Sequence, residues 1–341
     1  MSKNSKLRVL VVDDSASVRA RIRKILSEDI EIEVIGEAAN GRMAAELSKA
    51  LTPDIIIMDV VMPVLDGLQT ITQIMAEDPV PILVLTSQSS ADTAFRCISA
   101  GALEVLIKSD IATEPETLIK KVKMLSKVKV ISHIRGKFGI VAESRVQPDI
   151  IKTTALKKII AIASSTGGPK ALSLILPGLP DDFPCPVVIA QHMSDGFITG
   201  LVSWLDAIVP IEIKIAEAQE PLKPAVVYFS PSEYNMEISE ERVVNLTKRL
   251  PHEIYHPSCD KLLASTANAY GNGAMGVILS GMGDDGVKGI KAIKERGGTT
   301  LAQDKDSSVV FGMNAEALKS GSVDKVLSVT EICKEMIRFA N

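Results

Sequence analysis

Leu7-Arg8-Val9-Leu10-Val11-Val12 is an almost continuous apolar run that ends on Asp13-Asp14-Ser15. Such a run, lacking strict apolar–polar alternation, reads as a strand buried on both faces, which is the habit of parallel sheets. The next stretch, Ser15–Leu26, carries the 3.6-residue period of a helix. Working outward, the same unit recurs. Ile32–Glu37, Ile55–Met58, Ile82–Leu85 and Leu103–Ile107 read as strands, and Gly41–Leu51, Leu68–Ala76 and Glu116–Leu125 as helices. Five such units in about 125 residues predict a flavodoxin-like, doubly wound α/β domain.

That topology gathers the strand ends. Asp13 and Asp14 follow the first strand, and Asp59 follows the third. In a parallel sheet of this order, those ends lie side by side on the carboxyl edge, where ligands bind. Carboxylates converging there repel one another unless a cation neutralises them, and an oxygen-only set suits Mg²⁺. Thr86 and Lys108 end the fourth and fifth strands and add a hydroxyl and an ammonium to the same edge. Asp14 taken alone would pass as a helix N-cap. Five matching residues at strand ends point instead to a phosphoryl-binding pocket, in which the Asp59 carboxylate could act as a nucleophile.

Residues 126–158 break the pattern, with Lys and Arg early and Gln147-Pro148 later, and read as a linker. From Ile159 the α/β rhythm returns: Ile159–Ala163, Val187–Gln191, Val226–Ser230 and Gly276–Ser280 as strands, with helices at Pro169–Leu176, Lys261–Tyr270 and Val287–Glu295. A second parallel-sheet, Rossmann-like α/β domain is expected here.

Its first strand leads into Ser164-Ser165-Thr166-Gly167-Gly168-Pro169. Pro169 suits a first helical turn, and the two glycines allow a tight turn that leaves a hydroxyl and free N–H groups at a helix start. A nucleophilic serine needs a base. The four histidines are His133, in the linker, His192, His252 and His256. His192 follows the strand Val187–Gln191, again at a strand end. The loop Gly281-Met282-Gly283-Asp284-Asp285-Gly286 offers two acids to orient it. The chain order Ser, His, Asp is no obstacle, because geometry defines such a triad. Each piece has a plainer reading: an anion cradle, a structural histidine, a turn. A nucleotide-binding regulator would need a G-x-G-x-x-G fingerprint or a P-loop lysine, and neither is present. A regulator with a non-catalytic, partner-binding second half would have lost the serine, histidine or acid.

Composition narrows the classes. A net charge of -4 leaves no basic footprint for nucleic acid. Aromatic residues make up only 4% of the chain, so the cores must be aliphatic. Cys97, Cys185, Cys259 and Cys333 form no C-x-x-C pair, which favours free thiols in a reducing compartment. No apolar run reaches membrane-spanning length and no signal-like h-region opens the chain, so a cytoplasmic protein without direct membrane insertion is expected.

Val11-Val12-Asp13-Asp14-Ser15, Met58-Asp59-Val60-Val61-Met62-Pro63, Asp66-Gly67, Thr86-Ser87 and Lys108 resemble a response-regulator receiver domain. Ser165-Thr166-Gly167-Gly168, Gln191-His192-Met193, His256-Pro257-Ser258-Cys259-Asp260, Ser280-Gly281-Met282-Gly283-Asp284-Asp285-Gly286, Ala302-Gln303-Asp304 and Val309-Val310-Phe311-Gly312-Met313 resemble the chemotaxis protein-glutamate methylesterase family. The resemblance implies a receiver over 1–126, a linker over 127–157 and a methylesterase/amidase domain over 158–341. It implies Asp59 as phosphoacceptor, Mg²⁺ on Asp13, Asp14 and Asp59, Thr86 as switch hydroxyl and Lys108 as phosphoryl partner. In the second domain it implies Ser165 as nucleophile, His192 as base, Asp285 as orienting acid, and Thr166 with the Met282 N–H as oxyanion site, with no metal or cofactor. Methyl-accepting chemoreceptors and a chemotaxis histidine kinase are the implied partners. The sequence departs from the receiver pattern at Ser109, where proline usually follows the lysine, and at Val105, usually aromatic. A cis bond before a non-proline residue costs about 2.5–4 kcal/mol, so Lys108–Ser109 is expected trans. Asn314 and Asn235 stand where the esterase pattern commonly has proline and histidine.

Overall fold

The computed structural model describes residues 6–87, 91–130, 157–250 and 255–341. His133, His252 and Gln147-Pro148 lie outside the described residues. The chain divides into two compact units, Met1–Phe138 and Gly139–Asn341.

The first unit runs β1 (Leu7–Val12), α1 (Ala16–Ser27), β2 (Ile32–Ala38), α2 (Gly41–Leu51), β3 (Ile55–Asp59), α3 (Gly67–Glu77), β4 (Ile82–Thr86), α4 (Ala91–Ser99), β5 (Glu104–Ile107), α5 (Asp110–Thr113) and α6 (Pro115–Leu125). Its five strands pair in the order β2-β1-β3-β4-β5, all parallel. Every residue of β3 and β4 is buried, which is why those runs show no alternation in the sequence. α1 turns Ile22, Ile25 and Leu26 inward, and α6 turns Leu118, Val122 and Leu125, each at helical spacing. Asp66 and Asn40 are caps: their side chains accept the N–H of Gln69 and Met43. Among the described residues only His256–Pro257 is cis, so Lys108–Ser109 is trans as expected.

The second unit runs β6 (Ile159–Ser164), α7 (Gly168–Ile175), β7 (Val187–Gln191), α8 (Ile198–Asp206), β8 (Glu212–Ile215), β9 (Val226–Phe229), β10 (Tyr234–Ile238), β11 (Val244–Lys248), α9 (Cys259–Tyr270), β12 (Ala274–Ile278), α10 (Val287–Glu295), β13 (Thr299–Gln303), α11 (Met313–Lys319), β14 (Lys325–Leu327) and α12 (Val329–Ala340). Seven strands form a parallel sheet in the order β14-β13-β12-β6-β7-β9-β8. An antiparallel hairpin, β10–β11, stands apart from it. The strand expected at Gly276–Ser280 runs over Ala274–Ile278 instead: Ala274 and Met275 already pair with Ile159 and Ile160 of β6, and Leu279 and Ser280 follow the strand.

The central strands β12, β6 and β7 are buried throughout and lie next to one another. Loops leaving their carboxyl ends therefore meet. One tie is Asn314, buried on α11, whose Nδ2 donates to Gln303 O at 2.8 Å and to Ile278 O at 3.3 Å. It fastens α11 to the ends of β12 and β13. Replacing Asn314 with Ala leaves buried carbonyls unpaired, at a cost of about 1–3 kcal/mol. Urea unfolding followed by fluorescence of Trp204, the only tryptophan of the chain and buried in the second unit, should show that loss as an earlier midpoint with an unchanged slope.

Candidate functional site

In the first unit, β1 and β3 are paired neighbours, so the carboxylates after them share one edge. Ligand oxygens of Asp13, Asp14 and Asp59 lie within 4.8 Å of one another. Lys108 Nζ reaches between two of them, 2.7 Å from Asp13 Oδ2 and 2.8 Å from Asp59 Oδ2. The other Asp59 oxygen, Oδ1, accepts the Val60 N–H at 2.8 Å. Burial pushes the Asp59 carboxyl up, opposed by Lys108 and reinforced by Asp13. Burial would lower the Lys108 ammonium, but its two carboxylate partners outweigh that and hold it above its ordinary value. Thr86 is fully buried at the end of β4, and its Oγ1 has no hydrogen-bond partner among the described residues. A cation and three carboxylates at one sheet edge, with a buried hydroxyl lacking a partner among the described residues at an adjoining strand end, fit an incoming oxyanion with its divalent counter-ion. Asp13, Asp14, Asp59 and Lys108 meet here, and Thr86 ends the strand that lies between those leading into Asp59 and Lys108.

In the second unit the site is built from three adjacent strand ends. Ser165 follows β6 and His192 follows β7, and the His192 N–H donates to Ser164 O at 2.9 Å, which extends the sheet register by one residue. Asp285 lies in the loop between β12 and α10. Its Oδ2 lies 2.8 Å from His192 Nε2. Ser165 and His192 thus stand on neighbouring strands, while the acid arrives from the opposite neighbour of β6. Ser165 Oγ has no hydrogen-bond partner among the described residues.

Asp285 is held by a helix end. Its Oδ2 accepts the Cys259 N–H at 2.7 Å, and its Oδ1 accepts the Asp260 N–H at 2.9 Å and the Ser258 hydroxyl at 3.3 Å. Those N–H groups are the first of α9, where the helix presents free donors and a partial positive charge. Burial alone would raise the Asp285 carboxyl, but the bond to His192 and those N–H groups prevail and hold it below its ordinary value. It is therefore an anion wherever an imidazolium would need one.

The His192–Asp285 contact also fixes the tautomer. An ionised carboxylate only accepts, so Nε2 carries the proton and Nδ1 keeps its lone pair. Cys259 Sγ lies 3.3 Å from the same Nε2 and 3.5 Å from Ala190 O. Its thiol is fully buried and pushed well above its ordinary value by that burial and by Asp285, so it stays protonated.

Several residues of this site carry no mark in the composition of their loops. Gln191 Nε2 donates to Ser165 O and His192 O, both at 2.9 Å, while its Oε1 accepts the Ser164 hydroxyl at 2.6 Å. It ties the two loops with one amide. Ser280 Oγ donates to Thr166 O at 2.7 Å and accepts the Val310 N–H at 2.9 Å. Thr166 is buried, whereas Met282 is 45% exposed. A Cβ on Gly281 would fall 2.8 Å from Ser165 Cβ, so the backbone leading into Met282 passes directly against the serine. Asn235, read from the sequence only as a departure, accepts the Ser258 N–H at 2.8 Å and so anchors the start of α9. Of the remaining histidines, His256 Nδ1 sits 3.8 Å from Asp195. Burial and the nearby Arg249 push its pKa down.

Asp285→Asn tests these electrostatics. An amide donates its NH₂ toward Nε2, favours the other tautomer and removes the Nδ1 lone pair. We expect hydrolytic turnover to fall by roughly 10²–10⁴-fold. A depressed carboxyl stabilises the fold above its unfolded pKa of about 3.9 and loses that contribution as pH falls through the folded value. The stability gap between wild type and Asp285→Asn should therefore be full at neutral pH and shrink below about pH 4, read from urea midpoints across that range.

Residues 160–336 match the CheB methylesterase family, and residues 9–123 match the response regulator receiver domain. The chain is 41% identical over 346 residues to a Paramagnetospirillum magneticum protein named protein-glutamate methylesterase/protein-glutamine glutaminase 3, covering 99% of this chain and 98% of that one. An Archaeoglobus fulgidus protein named protein-glutamate methylesterase/protein-glutamine glutaminase is 36% identical over 347 residues, covering 98% of both chains. Among solved structures, the Thermotoga maritima CheB methylesterase catalytic domain superposes with a TM-score of 0.51 at 38% identity, covering 53% of this chain and 97% of that one. With the sheet order, the strand-end site and these matches together, the chain belongs to the CheB methylesterase family, carrying a receiver domain ahead of its methylesterase domain.

Proposed function

We propose that this chain hydrolyses glutamate γ-methyl esters on chemoreceptors, deamidates receptor glutamines at the same site, and is controlled by phosphorylation of Asp59. The observation that carries the reading is the 2.8 Å contact between His192 Nε2 and a depressed, helix-held Asp285, at the end of the strand paired with the one that leads into Ser165. In this reading His192 Nδ1 takes the Ser165 proton as Oγ attacks the ester carbonyl, and Asp285 stabilises the imidazolium that forms. The backbone N–H of Met282, passing beside Ser165, and Thr166 stabilise the oxyanion. As the tetrahedral intermediate collapses, its C–OCH₃ bond breaks and the imidazolium protonates the leaving methoxide oxygen, which departs as methanol. Water, deprotonated by the same Nδ1, then clears the acyl-enzyme and leaves a free glutamate. An amide gives the same tetrahedral intermediate and releases ammonia, so the site assigned to esters also serves glutamine.

In the receiver, Asp13, Asp14 and Asp59 would hold Mg²⁺, which supplies positive charge to offset three carboxylates and an incoming phosphoryl group. The Asp59 carboxylate attacks the phosphoryl group donated by a chemotaxis histidine kinase. Lys108, already paired with Asp59, and the unpaired Thr86 hydroxyl then bind the new oxyanion. The pairing of a receiver with an esterase supports control of one by the other, in a protein working in the cytoplasm beside receptor tails. Each tenfold gain in the active population needs only about 1.4 kcal/mol of differential stability, within reach of one rebuilt phosphoryl site.

Methanol release from methylated receptor membranes tests both halves. Ser165→Ala should lose activity by at least roughly a thousandfold while keeping the wild-type melting temperature. Retention of activity within tenfold of wild type removes the serine from the mechanism. A small-molecule phosphodonor with Mg²⁺ should raise the rate of the intact chain and leave Asp59→Ala unchanged. Equal stimulation of both would separate control from Asp59.

A further inference from the structure

One aromatic ring backs the imidazole of His192. Tyr255 lies parallel to it, with centroids 5.2 Å apart and planes inclined by 14°. The same side chain touches the acid loop from the other side. A Cβ on Gly283 would fall 2.5 Å from Tyr255 Oη, and Gly283 has a φ of +96°. Only a glycine accepts that backbone angle without strain and lets the phenol hydroxyl come so close. Gly283 sits between Met282 and Asp284. Tyr255 therefore spans from the base to the loop that also carries Asp285, through one rigid ring.

We infer that Tyr255 is a positioning residue for hydrolysis: its ring face orients His192 and stabilises the imidazolium, and its hydroxyl end sets the Met282–Asp285 loop. The inference rests on the reading of His192 as the base. The physical case is direct. The His192 ring is fixed at its Nε2 edge by Asp285 Oδ2 and Cys259 Sγ, but a single edge leaves it free to tilt about that bond. A stacked ring removes the tilt. When Nδ1 takes a proton, the ring becomes a cation over a π face, a contact stronger in the charged state than in the neutral one. That is differential binding of the protonated form, which is what a general base requires.

Among the described residues, few charged or titratable groups act on this pair. Asp285 and the neutral Cys259 meet His192 at Nε2, and His256 acts on it from the side, itself flanked by Arg249 and Asp195. Asp284 lies beside the Tyr255 phenol. Burial, with Asp284 and Asp285, pushes that phenol up, so it stays neutral through the working range.

The test uses the intact chain and two readouts: the pH dependence of methanol release, and the titration of the His192 imidazole followed by NMR. Tyr255→Leu keeps bulk and removes the π face. It should lower the imidazole pKa by about half a unit to one unit and lower kcat by about five- to tenfold. KM should stay within about twofold, because the contact acts on the reacting state. Tyr255→Phe keeps the ring and should keep the wild-type pKa, with kcat reduced about twofold or more by loss of the hydroxyl from the Gly283 loop. A wild-type pKa and kcat in Tyr255→Leu overturn the proposal. If that variant does not fold, Tyr255→Phe decides: a wild-type pKa with reduced kcat supports it, and either a shifted pKa or an unchanged kcat overturns it. His192→Ala separates the two readings. If it still turns over, the base assignment fails; if it is dead while Tyr255→Leu matches wild type, only the role of Tyr255 fails.

Discussion

The esterase-like site depends on two carboxylates exchanged between two helix starts. Asp285, just ahead of α10, accepts the first N–H groups of α9. Asp260, in the first turn of α9, accepts the N–H of Gly286 at 2.9 Å and of Gly289 at 2.8 Å, at the start of α10. Each helix supplies the anion that the other helix's free donors need. The arrangement satisfies buried N–H groups that would each cost about 1–3 kcal/mol unpaired. It also leaves one Asp285 oxygen facing His192. Burial and the neighbouring Asp285 push the Asp260 carboxyl up, whereas Asp285 is held down because it also has the imidazole. The two acids are close in sequence chemistry and opposite in behaviour, and the difference is the histidine.

The receiver solves a like-charge problem by another route. Three carboxylates meet at one sheet edge, and a single ammonium from the next-but-one strand end spans two of them. Lys108 is placed by backbone: its N–H donates to Thr86 O at 2.8 Å, which continues the β4–β5 ladder past the end of β5. The same bond ties Lys108 to Thr86, whose buried hydroxyl ends the neighbouring strand. Both sites of this chain exploit the carboxyl edge of a parallel sheet, where adjacent loops must meet whatever their separation in sequence. For Ser165, His192 and Asp285, spread across 121 residues of sequence, that edge is the only feature they share.

What the sequence made legible follows from this geometry. Apolar runs such as Val9–Val12 and Ile159–Ser164 are buried on both faces, so their composition announced strands, and the residue after each run announced a site. Periodicity was silent where polar side chains take part in the structure. β8, at the sheet edge, has an exposed Glu212 and a half-buried Lys214, and β14 has only three residues, largely exposed. β13 opens on Thr299 and Thr300, the latter held by Asp324. The hairpin β10–β11 carries a buried asparagine in place of an apolar residue. The acid was ambiguous from spacing, since Asp284 and Asp285 are adjacent; the structure turns Asp285 to His192 and leaves Asp284 beside Tyr255.

The two asparagines that depart from the family pattern show why single positions resist reading by analogy. Proline after the Phe-Gly-Met run would supply no side-chain donor, yet Asn314 uses its amide to close two carbonyls at the ends of β12 and β13. Asn235 uses its carbonyl to hold the Ser258 N–H, and Ser258 in turn caps α9 and reaches Asp285. A substitution far from the serine in sequence is thus one hydrogen bond from the helix that holds the acid. Its effect on turnover is set by how firmly α9 is seated, because the Asp285 oxygens take their direction from the N–H groups of Cys259 and Asp260. A small displacement of that helix moves the carboxylate away from Nε2, and with it the hold on the tautomer that the proposed role of His192 needs. The seating of α9 and the orientation of the His192 imidazole are therefore one constraint in this domain, expressed through the first turn of a single helix.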